Sequence, residues 1–510
     1  MKKTVFSSCS QLQVVYNTIY KLNFGATMKF NGKMLVLGCG SVAQCTLPLI
    51  LKHIEMPAEK ITIMDMLDNR RHIKDVLAKG VGYTQKEVTK DNYAKILKQF
   101  VGAGDIIIDL AYNIDTVEIL DWCHQNNILY MNTSVELWDP YFGGTEQHPT
   151  ELTLYVRHMA IRRLVDSWGN QNGPTAVIEH GANPGLVSHF TKVALHDIAE
   201  KILRTKPKEP RSRVKEIEKA LKHKQYAKLS QLCRVKVIHI SERDSQITRK
   251  PKEVNEFVNT WSVEGFREEG IAPAEMGWGT HEVNLPPDAH YHRFGPNNQI
   301  CLARPGIKTW VRSWVPSGEI VGMVVRHGEA FTISDYLTVW DDGKPAYRPT
   351  VHYAYCPCDA AFNSIVELEM RQFDLQNKQR ILNDDILSGR DELGVLLMGH
   401  DFKSWWTGSL LDIDEARKLV PHQNATTLQV ACSVIAAVTW MMRNPAEGVC
   451  TPEDLLHDEI LKITKPYLGP FVSQAVDWTP VKNLFRLFRN TNGHIPTEHE
   501  TWQFNTFLVR

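Results

Sequence analysis

The sequence predicts an α/β protein built on a doubly wound parallel sheet, followed by a second α+β domain. Three observations lead to that reading. From Lys33 to about Leu203, short β-branched runs alternate with helical stretches, and parallel neighbours need such crossovers. A glycine-rich turn, Gly38-Cys39-Gly40-Ser41-Val42-Ala43, falls between the first strand and the first helix, which makes the sheet Rossmann-type. From Leu232 to Tyr355, Val, Ile, Thr, Tyr and Trp stand among Gly and Pro, the texture of a largely antiparallel sheet.

Taken in order, Met34–Leu37 reads as a strand and Ser41–His53 as a helix, then Ile61–Met64 as a strand and Arg70–Ala78 as a helix. Next come a helix over Asn92–Phe100, a strand over Asp105–Leu110, a helix over Asp115–Gln125 and a strand over Ile128–Thr133. A further strand, Thr175–Glu179, leads into the turn His180-Gly181-Ala182-Asn183-Pro184-Gly185 and a helix to about Leu203. Residues 204–229 are rich in Lys and Arg and read as a solvated linker and surface helix. From about Ala360 the chain reads as mostly helical, with helices at Ile365–Gln376, Asp414–Val420 and Thr426–Arg443.

Composition narrows the function classes. At 510 residues the chain exceeds a single domain, and 43% hydrophobic with 23% charged residues suits a folded globular body. Lys+Arg and Asp+Glu are equal at 58 each, so no global charge excess attracts nucleic acid or an anionic membrane. Apolar runs such as that around Ile106–Ile108 are too short to span a bilayer, and ten cysteines without a dense pattern fit reduced thiols in a cytoplasmic protein. No P-loop, G-x-S-x-G elbow or H-E-x-x-H helix is present, which argues against an NTPase, an α/β-hydrolase and a zinc protease. Cys356-Pro-Cys358 and His290-Tyr-His292 lack a matching second half-site, so no metal is expected.

The turn carries the clearest chemistry. Gly38 permits the tight bend, Gly40 lets the backbone approach a pyrophosphate, and Ala43 keeps the helix close to the sheet, while Ser41 and Val42 offer free helix amides. Asp65 follows Ala43 by 22 residues at the end of the next strand, where it can accept from ribose hydroxyls and favours NAD over NADP, with Arg70 and Arg71 as a mild counter-argument. Glu136 lies beyond another strand end, on the rim where open α/β sheets bind ligands, and Asn183 points a two-way amide from its turn toward the same rim. Downstream stand Glu242, Asp244, Trp261, Glu264, Glu268, Glu269, His327, Asp391 and Glu392. Acids beside aromatic rings suit a flexible diammonium ligand, with a carboxylate at each end and a ring face between.

Five segments, Leu37–Leu49, Ser134-Val-Glu-Leu-Trp138, Gly181-Ala-Asn-Pro-Gly185, Ile238-His-Ile-Ser-Glu-Arg-Asp244 and Asp391-Glu-Leu-Gly-Val395, together resemble the bacterial homospermidine synthases, relatives of saccharopine dehydrogenase. The resemblance runs from about Lys29 to near the C-terminus. Met28, just ahead of the first strand, reads as an alternative functional start; the expected organisation has an N-terminal extension over 1–28 and an NAD-binding Rossmann domain over 29–180. A substrate-binding and dimerisation domain over 181–390 and a helical C-terminal part over 391–510, packed back on the core, complete the expected organisation.

The resemblance further implies a cytoplasmic homodimer holding NAD as a redox prosthetic group for polyamine biosynthesis. Putrescine or a related diamine is oxidised to an imine, a second amine displaces ammonia, and the new Schiff base is reduced to sym-homospermidine, so the net chemistry is a transferase reaction. Carried over by position, Glu242, Glu269, His327 and Asn183 are the catalytic candidates, with Glu136, Trp261 and Asp391 binding substrate. Gly38, Gly40, Ser41, Val42, Ala43, Asp65 and Asn183 are the cofactor-binding candidates. Glu268 and Glu392 are alternatives to Glu269 and Asp391, and the general base is open among Glu242, Glu269 and His327. Two rival readings are a saccharopine dehydrogenase-like reductase such as a carboxynorspermidine synthase, which needs Arg or Lys for a substrate carboxylate, and a non-catalytic NAD-binding sensor.

Overall fold

The computed structural model describes residues 27–140, 147–205, 210–482 and 496–509, so all but the last two residues of the expected 1–28 extension lie outside the described residues. Strands β1 (Met34–Leu37), β2 (Ile61–Asp65), β3 (Gly82–Gln85), β4 (Ile106–Asp109), β5 (Leu129–Asn132) and β6 (Ala176–Val177) form a parallel sheet in the order 3-2-1-4-5-6. This is the doubly wound order, with its crevice at the carboxyl ends of β1 and β4. Met34 and Val36 join one hydrophobic core and Leu35 and Leu37 another, because successive side chains leave a strand on opposite faces. A strand buried on both sides therefore reads as a continuous apolar run.

Helices α1 (Ser41–His53), α2 (Tyr93–Phe100), α3 (Thr116–Gln125) and α4 (Leu154–Ser167) supply crossovers and flanking layers. After β6 the turn at 180–185 launches α5 (Leu186–Thr205), which packs on the second sheet and ties the two domains together. The basic segment is more structured than the sequence suggested. Helices α6 (Arg211–Lys222) and α7 (Tyr226–Cys233) pack on α5, burying Arg213, Ile217 and Ala220 at helical spacing, and Arg213 is paired with Asp401. The stretch expected as a helix over 70–78 is a short 3-10 turn followed by Lys74–Leu77. The half-exposed strand β3 lacked the apolar run that would have revealed it.

The second sheet has ten strands, each introduced here in chain order: β7 (Val237–Asp244), β8 (Pro273–Gly277), β9 (Ala289–Tyr291), β10 (Gln299–Pro305), β11 (Trp310–Val315), β12 (Gly318–Met323), β13 (Thr350–Cys356), β14 (Arg390–His400), β15 (Lys403–Asp412) and the last, Phe471–Val476. The main path runs β9-β10-β8-β13-β7-β14-β15 and on to Phe471–Val476, with the β11–β12 hairpin joined to β13. Pairing is antiparallel as expected, except between β7 and β13. The expectation of a helical part over 391–510 is corrected, since β14 and β15 are the longest strands in this sheet. Their alternation is hidden because β14 is buried on both faces. Helices α8 (Val263–Ile271) and α9 (Glu329–Tyr336) carry further polar groups toward the domain junction.

The C-terminal region also returns to the first domain. Val449–Cys450 pairs with β6 as a seventh parallel strand, and helix α10 (Ala425–Arg443) packs on α1 and against β5 and β6. With a mean hydropathy of 1.5 over an 18-residue window, α10 meets the length and polarity of a membrane span, contrary to the reading that apolar runs are too short; 89% of that window is buried inside the fold. A helix buried between two packed domains carries few charges, and its buried Thr426, Gln429 and Ser433 are hydrogen-bonded inside the fold.

Candidate active site

The glycine turn bends as the sequence implied. Gly38 has φ +85°, and a Cβ there would lie 2.7 Å from Leu110 O, so only glycine fits. Gly40 is different: its φ is ordinary, and nothing lies within 4 Å of the position a Cβ would take. The open space sits at the N-terminus of α1, which has no side-chain cap, so its first amides face a cradle suited to a diphosphate. Asp65 accepts from Cys39 N–H at 2.6 Å and Leu67 N–H at 2.7 Å, which fixes its carboxylate beside the turn. Of the two arginines that counted against NAD, Arg70 is engaged by Asp68 through Nε at 2.8 Å and Nη2 at 2.7 Å, and Arg71 donates from Nε to His72 Nε2 at 2.9 Å.

Along the rim, Asn132 connects the first domain to the turn at 180–185. Its Oδ1 accepts from Glu179 N–H at 2.7 Å and its backbone O from His180 N–H at 2.9 Å. Gly185 has φ +129°, and a Cβ there would lie 2.0 Å from Gly181 O. So tight a turn brings Asn183 against the second sheet, where its Nδ2 donates to Glu242 Oε2 at 2.8 Å. Glu136 accepts from Ser134 Oγ at 2.8 Å through one oxygen, while the other is buried without a partner. Burial pushes the Glu136 carboxyl up to about 7, with Glu268 adding and Arg157 opposing.

Register builds an acidic face on the second sheet. Glu242 stands opposite Tyr355 and Leu393, and Asp244 stands opposite Asp391, so these side chains leave the same face. Glu242 also accepts from the Tyr353 hydroxyl. Asp244 accepts from Thr260 Oγ1 at 2.6 Å and Gln246 N–H at 2.9 Å, and Asp391 from Thr426 Oγ1 at 2.6 Å. The second oxygen of Asp391 is buried without a partner. Among the described residues, hydroxyls and amides answer these three buried acids, and no Lys or Arg shares a hydrogen bond with them. Burial therefore pushes Glu242 up to about 7, with Asp244 adding and Tyr353, His327 and Asn183 opposing, and drives Asp391 well above the carboxylate range, with Glu242 and Asp244 adding.

His327 lies between two more acids. Its Nε2 is 3.0 Å from Glu269 Oε2 and its Nδ1 3.2 Å from Glu329 Oε1, and its ring centroid is 4.4 Å from that of Tyr353. Burial disfavours the imidazolium, but Glu329 and Glu269 outweigh it and hold the histidine's pKa well above its usual value. Trp261 donates from Nε1 to the Tyr355 hydroxyl at 3.2 Å and packs against Phe266, with centroids 5.2 Å apart.

The paired alternatives from the sequence differ in their surroundings. Glu268 is bound by Arg157 at 2.6 Å and by Arg326, whereas Glu269 meets His327. Burial pushes the Glu268 carboxyl up, but Arg326 and Arg157 together hold it down at about 2. Glu392 points away from the acidic face, its Oε2 accepting from Ser317 N–H at 3.3 Å. Glu264 occupies the first turn of α8. Sequence reading missed Tyr353 and Tyr355 as site residues, although their alternation in Val351-His-Tyr-Ala-Tyr355 places both on one strand face. It also missed Glu329 and the Arg157–Glu268–Arg326 group, whose members are distant in sequence and carry no shared motif.

A dinucleotide cradle at one sheet's rim, with a buried polar site on a second sheet, is the arrangement of a two-domain, dinucleotide-binding enzyme. Residues 34–177 match the saccharopine dehydrogenase NADP binding domain and residues 181–476 the saccharopine dehydrogenase C-terminal domain. The chain is 38% identical over 489 residues to a homospermidine synthase from Mesorhizobium japonicum, covering 94% of this chain and 97% of the relative. It is 38% identical over 491 residues to the homospermidine synthase of Blastochloris viridis, covering 94% and 98%. The crystal structure of a homospermidine synthase from Legionella pneumophila in complex with NAD aligns with a TM-score of 0.83 at 37% identity, covering 95% of this chain and 99% of that one. The chain belongs to the homospermidine synthase family.

Proposed function

We propose that the protein is a homospermidine synthase that joins two putrescine molecules into sym-homospermidine with release of ammonia, keeping NAD through each cycle. The observation that carries this reading is the set of buried acids, Glu242, Asp244 and Asp391, that have hydrogen-bond donors but, among the described residues, no Lys or Arg partner, with His327 acting on Glu242 only through space. Buried acids without a bonded counter-charge stay largely protonated, and an ammonium or iminium ligand would supply the charge that ionises them. Near-complete coverage of homospermidine synthases at 38% identity supports the same assignment.

Gly38, Gly40, Ser41, Val42, Ala43 and Asp65 would hold the dinucleotide, with Asn183 on the opposite rim. The fixed Asp65 carboxylate would repel a 2′-phosphate, which favours NAD over NADP, in keeping with the NAD complex of the Legionella pneumophila relative. When bound, the cofactor supplies the reversible redox chemistry that makes an amine carbon electrophilic and later restores it.

Glu242 is the proton acceptor in this proposal. A protonated amine must lose a proton before oxidation, and a carboxyl at about 7 is balanced between accepting and returning one at neutral pH. Tyr353 and Asn183 orient it as donors. His327, held protonated by Glu269 and Glu329, is the donor to a departing amine. Glu136 and Asp391 act as counter-charges for ammonium ends, and Trp261 offers a ring face. Nine cysteines among the described residues are free thiols, in keeping with a reducing cytoplasm, and exposed Phe362, Val366 and Met370 form a stripe that suits a homodimer face.

Incubating the protein with putrescine and NAD, then analysing amines by mass spectrometry and assaying ammonia, tests the assignment. Homospermidine and ammonia in equal amounts are expected. Oxidised putrescine with no coupled polyamine would contradict it.

A further inference from the structure

Arg157 of α4 and Arg326, which precedes α9, converge from different domains on one carboxylate oxygen of Glu268. Arg157 is further fixed by Nη1 donating to Val135 O at 2.7 Å, and Arg326 by donating to Leu152 O. Arg157, Arg326 and Glu268 are all buried. Glu268 adjoins Glu269, Arg326 adjoins His327, and Val135 adjoins Glu136, so the arginine pair borders the proposed amine site through three peptide links. Two buried guanidiniums aimed at one point are what a site for an amino acid's carboxylate requires. Here a side chain of the protein fills that point.

We propose that Glu268 is a specificity-determining residue. Its carboxylate permanently occupies a two-arginine anion site beside the amine site, and so restricts the enzyme to amines that carry no carboxylate. The inference rests on the diamine reading above and names the device that separates such a substrate from an amino acid. A carboxylated diamine would need to displace Glu268, leaving a buried acid unpaired, whereas putrescine leaves the arrangement intact.

The test compares wild type, Glu268→Ala and Glu268→Gln, with acetate as the probe for the vacated anion site and ornithine, which is putrescine bearing an α-carboxylate, as the competing diamine. Acetate is expected to raise the melting temperature of Glu268→Ala saturably and to restore its putrescine turnover, with no such effect on wild type or Glu268→Gln. Ornithine is expected to inhibit both variants at concentrations roughly tenfold or more below those needed for wild type, because the arginines are no longer neutralised. If Glu268→Ala does not fold, the isosteric Glu268→Gln carries the comparison through ornithine inhibition alone. Equal acetate stabilisation of all three proteins, or ornithine inhibition unchanged by both substitutions, would overturn the proposal. A wild type that makes no homospermidine would refute the functional reading, while acetate stabilisation of Glu268→Ala would still report on the anion site.

Discussion

Glu242 and Glu268 are both buried acids bordering one site, and their surroundings drive them in opposite directions. Glu268 receives two guanidiniums and is held at about 2 despite burial, whereas Glu242 receives an amide and a phenol and is pushed up to about 7. The protein binds two guanidiniums directly to Glu268, whereas Glu242 has no bonded cation and feels only the more distant His327. Burial alone cannot explain the contrast, since both carboxylates are almost wholly removed from solvent. The contrast shows that bonded cations, not burial, set the two acids apart: Glu268 is neutralised within the fold, and Glu242 is the acid proposed to meet a ligand's charge.

The sharpest break of this comparison separates chemistry from cofactor binding. Glu242→Gln should cut homospermidine formation by about 10²–10⁴-fold, as expected for loss of a general base, while NAD still binds by calorimetry. Gly40→Val should abolish NAD binding with the fold intact, because the added side chain enters open space where only a cofactor would be met. Loss of NAD binding in the first variant, or its retention in the second, would place the two functions on the wrong residues.

A stability measurement tests the other half. Arg326→Met leaves Glu268 buried with one guanidinium, and breaking a buried pair in this way costs roughly 3–5 kcal/mol. Denaturant unfolding without ligand should show that loss, and Glu242→Gln should unfold no more easily than wild type, since the neutral amide removes an uncompensated acid. Equal destabilisation by the two substitutions would erase the distinction between them.

The smallest expected effect concerns Trp261. If its ring faces an ammonium or iminium, cation–π attraction contributes roughly 0.5–2 kcal/mol, so Trp261→Phe should retain much of the turnover and Trp261→Ala lose most of it. A Trp261→Ala protein that melts far lower while its folded fraction turns over normally would make this ring a packing residue against Phe266 and Gly265.

What sequence reading found follows the range of the interactions involved. The turn at Gly38–Ala43 is local: its glycines, strand and helix lie within a few residues, and Asp65 one strand later completes it. Asn183 and Glu242 could be singled out because each sits in a short distinctive segment, whereas His327 received a role only by its position in the family resemblance. The acidic face was not legible as geometry, since Asp244 and Asp391 meet only through the register of β7 with β14, and Tyr353 joins Glu242 only through the neighbouring strand. The strands at 390–412 escaped because burial on both faces removed the alternation that marks a half-exposed strand. The arginine pair escaped for a related reason, as a long-range ion group leaves no spacing rule in the chain.

The central claim is that the ammonium groups of the substrate supply the charge that Glu242 and its neighbours lack. A cation entering this face lowers the Glu242 pKa from about 7 toward the usual carboxylate range, so binding at neutral pH must release protons, and the share carried by Glu242 must fade well above pH 7 where that acid is already ionised. Isothermal calorimetry of putrescine binding to the NAD-loaded protein, repeated in buffers of different ionisation enthalpy, measures that release directly. Net proton release near pH 7 that diminishes toward higher pH, and is reduced in Glu242→Gln, is the expected result. Binding with no proton release near pH 7, or with release unchanged in Glu242→Gln, would contradict it.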